Sequence, residues 1–412
     1  MKKLKFIAFL IISFSFLAFA AAQTKPQKTL DPEGIMSAKI VEALGKIGDI
    51  RGYDLCLKSL KSDNLFVRNA AISSVAAFGN KNAVPVLLKE LVNEKDAISK
   101  ILIMSALIDL GMFEYEKALI QFSKSSIAYV RAIACEQLAE LDEKYLSAIA
   151  DLLIAEKDDV AKTKLIEILG NHGFRPVITA IRKELYNANE QVRTAACFAM
   201  GEIGDSKDIA LLVKMLDDKS NQVRSAVKIA LSRLGDRSVV TLAWKDLEKN
   251  DPLLKASSYI ILANSNESKI LPALIKEVVD FKNASILRVE AARALKILRP
   301  YFNKVLIENK PSSGVDAKVI STDNLGFNYR INGESLVVFL SRALTDKNNP
   351  LYKDVPLIFL ALRDDSSLPV LRQLLFSHDL DIAATAVHAL GEMRDADSVG
   401  YLISLYNQYN PA

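Results

Sequence analysis

The sequence predicts an all-α fold, an α-solenoid of about eleven or twelve stacked helix-turn-helix repeats of about 31 residues each. Three observations predict it. Within Asn189–Asp205, NEQVRTAACFAMGEIGD, the apolar residues Val192, Ala195, Ala196, Ala199 and Met200 follow i, i+3, i+4, i+7, i+8, one face of an α-helix. The residue that ends such a helix recurs at Gly48, Gly79, Gly111, Asp142, Gly173, Gly204, Gly235 and Asn266, spaced 31 or 32 apart. Finally, the chain has 412 residues, beyond the roughly 250–300 that one hydrophobic core sustains.

Each part of the repeat has a local reason. Asn64, Asn189, Ser220 and Asp251 stand where a first helix begins, and their side chains can accept from the orphan N–H groups of its first turn. Pro252 follows Asp251 at a position where proline needs no N–H. Glycine or asparagine at the helix end suits a left-handed residue. A second apolar-periodic segment follows each turn, for example Ile209, Leu211, Leu212, Met215 and Leu216. One such pair cannot bury its own apolar faces, whereas stacked pairs share a continuous core. First helices are expected to begin near 35, 66, 97, 129, 160, 191, 222, 253 and 286, then near 350 and 381.

The motifs VRTAACFAMGEIGD and VRSAVKIALSRLGD, with the late copy DIAATAVHALGEMRDADS, resemble HEAT-like repeats of the phycobilisome-lyase type over most of residues 35–410. The resemblance implies the solenoid fold. It says little of activity, since similar repeats serve lyases, hydroxylases and adaptors.

At the start, basic Met1–Lys5, the apolar run 6–19 and the small residues near Ala20–Ala22 follow the order of a secretory signal peptide. Cleavage is expected after Ala20 or Ala22, with an uncleaved anchor as the alternative, and a linker over 23–34. The expectation is therefore an exported protein, periplasmic or secreted, with no transmembrane helix after cleavage. Residues 2–22 carry three lysines and no acid, so the remainder balances 50 basic against 49 acidic residues. A nucleic-acid binder would show a marked basic excess. Cys135 and Cys197 lie two repeats apart, too far for a disulfide, and with Cys56 they read as small buried hydrophobes.

Residues 310–334, KPSSGVDAKVISTDNLGFNYRINGE, break the period. They read as a loop or β-hairpin standing in place of a first helix, between repeats 35–309 and the C-terminal repeats 335–412. An excursion of this length is either a functional contact or a plain insertion. Phe327, Tyr329 and Arg330 are its candidate partner-binding residues.

Lys183, Lys214, Lys245 and Lys276 fall 31 residues apart on second helices, which are expected to line a concave face. The lysines read as a track for an acidic partner or as a solvated face. Glu184, Asp246 and Glu277 each follow a ladder lysine and argue for the latter. Arg68, Arg131, Arg193 and Arg224, each after a valine, are expected to hold repeats in register. Trp244 reads as core. The three histidines, His172, His378 and His388, make no helical ligand pair with a carboxylate, and no phosphate loop or nucleophile elbow occurs. No catalytic, cofactor-binding or metal-ligating residue is therefore assigned. The His-Glu dipeptides of HEAT-repeat di-iron hydroxylases are not matched: His172, His378 and His388 precede Gly173, Asp379 and Ala389. The sequence reading is a non-catalytic scaffold that binds protein partners at the cell envelope, with no nucleic acid and no cofactor. Its alternatives are a lyase- or hydroxylase-like enzyme and a structural subunit of an envelope complex.

Overall fold

The computed structural model describes residues 31–280, 282–298, 317–320, 328–331 and 334–410. The expected leader 1–22, its cleavage positions, most of the linker and Phe327 lie outside the described residues. Two compact units are present, residues up to Gly204 together with those from Tyr406 onward, and Asp205–Leu405.

The first unit holds α1 (Pro32–Ile47) with α2 (Tyr53–Ser59), α3 (Leu65–Ala77) with α4 (Val84–Asn93), and α5 (Ala97–Asp109) with α6 (Glu116–Phe122). It continues through α7 (Ala128–Leu141) with α8 (Leu146–Ala155), α9 (Asp159–Asn171) with α10 (Ile178–Glu184), and α11 (Glu190–Ile203). The second unit begins with α12 (Ile209–Val213), then α13 (Asn221–Arg233) with α14 (Ser238–Leu247), α15 (Pro252–Asn264) with α16 (Leu271–Val279), and α17 (Ser285–Leu298). There follow β1 (Ala317–Ile320), β2 (Asn328–Ile331) and β3 (Glu334–Ser335). The unit ends with α18 (Leu336–Ala343), α19 (Val355–Leu362) with α20 (Leu368–Leu374), and α21 (Leu380–Glu392) with α22 (Val399–Tyr409), whose residues from Tyr406 on belong to the first unit. Helix α1 begins at Pro32, capped by Asp31, a turn earlier than the linker boundary expected from sequence.

The caps explain where first helices start. Asn64 accepts from the N–H groups of Phe66 and Val67, Asn189 from Gln191, Ser220 from Val223, and Asp251 from Leu253 and Leu254. Most helix ends use the left-handed turn: φ is positive at Gly48, Gly79, Gly111, Gly173, Gly235 and Asn266. Asp142 and Gly204 are instead extended, so these two markers close their helices without that turn. Arg363 and Arg394 occupy the left-handed position in later repeats, where no glycine signals it.

Within each unit the stack has two unequal layers. First helices lie directly on one another: α1 on α3 and α9 on α11 in the first unit, α15 on α17 in the second. Small residues permit this approach, and a β-carbon on Gly170 would stand 2.8 Å from that of Ala199. Val67, Val130, Val192 and Val223 are buried in this layer, as are all three cysteines. Burial pushes the Cys56 and Cys135 thiols up to about 12, so they remain protonated and inert at neutral pH. Second helices bury one stripe against the first helices but make little contact with their own successors. They form the splayed outer layer of each unit. Trp244, expected in the core, is half-buried.

The excursion also sits differently from the expectation. Helix α17 packs directly on α19, so these are the first helices of consecutive repeats, and α18 is the second helix of α17's own repeat. Arg288 and Asp354 pair across 66 residues where the corresponding Arg131–Glu156 pair spans 25, so the excursion adds 41 residues inside one repeat. No first helix is replaced, and the described residues contain eleven first helices. The strands β1 and β2 pair antiparallel, Val319 opposite Tyr329 and Lys318 opposite Arg330, and β3 adds to the other edge of β2.

Candidate partner-binding surface

The recurring arginine has a defined job. Arg68 donates to the carbonyls of Ser62 and Asp63, Arg131 to that of Ser125, and Arg193 to those of Asn187 and Ala188. Arg224 and Arg288 repeat the contact in the second unit. Each guanidinium thus satisfies carbonyls left open where the preceding second helix ends. Two arginines of the first unit add an acid: Arg131 grips Glu156 through two N–H groups at 2.7 and 2.9 Å, and Arg68 lies 3.8 Å from Glu94. Burial works against the Glu156 charge, but the Arg131 guanidinium outweighs it and keeps the carboxyl below its ordinary range. These side chains set register and are unavailable to a ligand.

The lysine ladder is placed differently. Lys183 in the first unit and Lys214, Lys245 and Lys276 in the second are all exposed on second helices or the 3-10 turn that extends α12. None forms an ion pair among the described residues. The acids expected to neutralise them are turned inward. Asp246 is buried, bonded to Lys228 of α13 and, at 2.7 Å, to Lys249. Burial opposes its charge, and the two ammonium groups still hold its carboxyl below the ordinary range. Glu277 accepts from the Tyr259 hydroxyl at 2.8 Å, and its other oxygen is buried. Glu184 takes Lys162 at 3.1 Å and Asn187 at 2.7 Å. A lysine followed by an acid therefore does not make a mixed surface row here, because the two residues point about 100° apart on the helix and the acid is engaged by neighbouring side chains.

The excursion lies on the same outer layer of the second unit as three of these lysines. Strand β1 packs on α16, the helix of Lys276, while β2 and β3 pack on α18. Tyr329 and Arg330 are residues of β2.

A polar cluster that sequence reasoning missed occupies the first-helix face of the first unit. Lys164 of α9, 6% exposed, pairs with Glu136 of α7 at 2.7 Å. One turn beyond Lys164, burial pushes the Glu167 carboxyl up to about 7; Lys164 draws it down and Glu136 pushes it further up. His172 stands 3.5 Å from Glu140 and holds that carboxyl low. Glu136 and Glu167 are 31 residues apart, which was the available signal. No group of three or more His, Cys, Asp or Glu among the described residues is arranged to hold a metal ion.

The last helix supplies a further contact within the first unit. The Tyr406 hydroxyl meets Ser59 Oγ at 3.1 Å, and Asn410 donates to Ser37 Oγ at 2.8 Å. Both serines are buried, so at least one of the C-terminal aromatic residues covers the first repeat.

The model of the HEAT repeats family matches residues 178–245. With similar helix pairs on either side of that segment, the chain has the fold of an α-solenoid built of HEAT-like helix pairs. No curated protein matches. Among solved structures, the complex of CpcE and CpcF of phycocyanin lyase from Nostoc sp. PCC7120 is similar at 21% identity and a TM-score of 0.29, over 66% of this chain and 89% of that one. Human deoxyhypusine hydroxylase is similar at 14% identity and a TM-score of 0.31, over 65% and 97%. The Kap95:Nup1 complex gives 14% identity and a TM-score of 0.40, over 86% and 53%. These likenesses are of fold alone. No helix among the described residues is long and apolar enough to cross a membrane.

Proposed function

We propose that the chain is a non-catalytic protein-binding scaffold of the cell envelope, exported by its N-terminal leader. Its working face is the outer layer of the second unit, where Lys214, Lys245 and Lys276 and the excursion lie together. The observation that supports this reading is the packing of β1 on α16, which sets the excursion beside the Lys276 end of a row of cations that form no ion pair among the described residues. The mechanism is preorganisation. A rigid layer of short helices held by buried carbonyl and carboxylate contacts loses little freedom when a partner docks.

Deleting residues 312–332 and joining the ends with a short Gly/Ser linker tests it. Because α17 already packs on α19, helix content by circular dichroism and the cooperativity of melting are expected to stay close to those of the wild type. In crosslinking pull-downs from the native envelope, a partner recovered by the wild type is expected to be lost or strongly reduced with the deletion. Large loss of helix would show that the excursion belongs to the core, and recovery of no partner by either form would refute the scaffold reading.

A further inference from the structure

We infer that the outer layer of the second unit binds an extended acidic protein segment running along the second helices; this rests on the scaffold reading. The lysines do not act as a single row. In the three repeat segments 205–217, 236–248 and 267–279, each a second helix with its leading turn, the exposed charged residues are Lys207, Lys214, Arg237, Lys245, Lys269 and Lys276 against Asp217 and Glu248. The cations stand in two rows. Lys207, Arg237 and Lys269 lie at the heads of the helices, and the ladder lysines lie seven or eight residues on, about 11 Å away at 1.5 Å per residue. Ala210, Thr241 and Ala273, exposed and small, fall between the rows and leave space for a chain to lie there.

Charge complementarity selects the occupant. Asp246 and Glu277, which follow Lys245 and Lys276 in sequence, are engaged by Lys228, Lys249 and Tyr259 and so do not pair with the ladder. The two exposed acids lie at one margin, a turn beyond Lys214 and Lys245; the corresponding residue after Lys276 is Val279. The spacing of about 10 Å between packed helices is a lower bound for these splayed ones, so at about 3.3 Å per residue of extended chain the carboxylates stand at least three residues apart. At least six or seven residues of such a segment reach from Lys214 to Lys276. A protein ligand fits better than a nucleic acid. The chain's net charge is only +4, and the exposed residues of segments 205–217, 236–248 and 267–279 include no aromatic ring on which a base could stack.

The test uses the full chain and a fluorescent glutamate homopeptide, with binding read by anisotropy at low salt. The K214E/K245E/K276E variant is expected to bind at least about tenfold more weakly than the wild type, since several weak exposed pairs are lost and reversed together. The control K58E/K89E/K183E makes the same charge change on second helices of the first unit, where those lysines are also exposed, and is expected to change binding less than about threefold. Circular dichroism checks that both variants fold. Equal losses in the two variants, no binding by the wild type, or tighter binding of an oligothymidylate of equal charge would each overturn the inference. The assay needs no cellular partner, so its failure is separate from that of the scaffold reading, which the pull-down decides.

Discussion

Replacing Arg288 with alanine is expected to cost about 3–5 kcal/mol of stability, the range for removing one partner of a buried ion pair. Arg288 is 5% exposed and Asp354 6%. The guanidinium Nε donates to Asp354 at 2.7 Å, a second nitrogen grips the same carboxylate, and a third serves the carbonyls of Asp280 and Asn283. Alanine leaves Asp354 buried with only the Ser285 hydroxyl at 2.5 Å and opens two backbone carbonyls as well. The loss should be local at first, because a repeat is held chiefly by its neighbours. Hydrogen exchange is expected to quicken in α17 and α19 before it does in the first unit. The paired replacement R288M/D354L, which removes both charges, should recover most of the urea-unfolding midpoint. Equal losses in the single and paired variants would show that side-chain shape, and not charge pairing, holds α17 to α19.

Glu167→Gln is expected to stabilise the protein above neutral pH, by up to about 3 kcal/mol. Burial raises the Glu167 carboxyl from its ordinary 4.5 to about 7 in the folded chain. Below pH 4.5 both states hold the proton and there is no penalty. Between 4.5 and 7 the unfolded chain ionises first, so stability falls as pH rises; above 7 the full cost is present. The amide removes that cost while Lys164 keeps Glu136 as its partner. Urea unfolding of wild type and variant should therefore coincide near pH 4 and separate near pH 8. A variant no more stable at pH 8 would show that Glu167 reaches water when ionised and carries no such penalty.

The repeat was legible because its physics is local. Caps such as Asn64 and Asp251 and left-handed ends such as Gly48 and Asn266 act within a few residues of themselves, and ten of the eleven expected helix starts fall within three residues of the observed ones. The start near 350 is displaced to Val355 because Tyr352 and its neighbours form turns before that helix. The position of α18 was misread for a related reason. Period counting measures sequence separation, and nothing local distinguishes a lengthened connection inside a repeat from a missing helix. Only the Arg288–Asp354 pair and the α17–α19 packing reveal it. The surface was half legible. The lysine spacing could be read directly, but neighbours in sequence point about 100° apart on a helix. Whether Asp246 and Glu277 cancel the ladder was decided by Lys228 and Tyr259, residues of the preceding helices. The Glu136–Lys164–Glu167 cluster was hidden because its members look like surface charges until neighbouring first helices enclose them.

The layer that meets the partner is the central question, and site-specific photo-crosslinking in the native envelope answers it most directly. A benzophenone amino acid placed at Lys245, exposed on α14, is to be compared with one at Ile229, half-buried on the first helix α13 of the same repeat. Both probes lie in the second unit, so only the layer differs. Adducts of defined mass from position 245, reduced by the deletion of 312–332 and absent from position 229, are the expected result. Adducts from position 229 alone would contradict the account and move recognition to the face of the first helices.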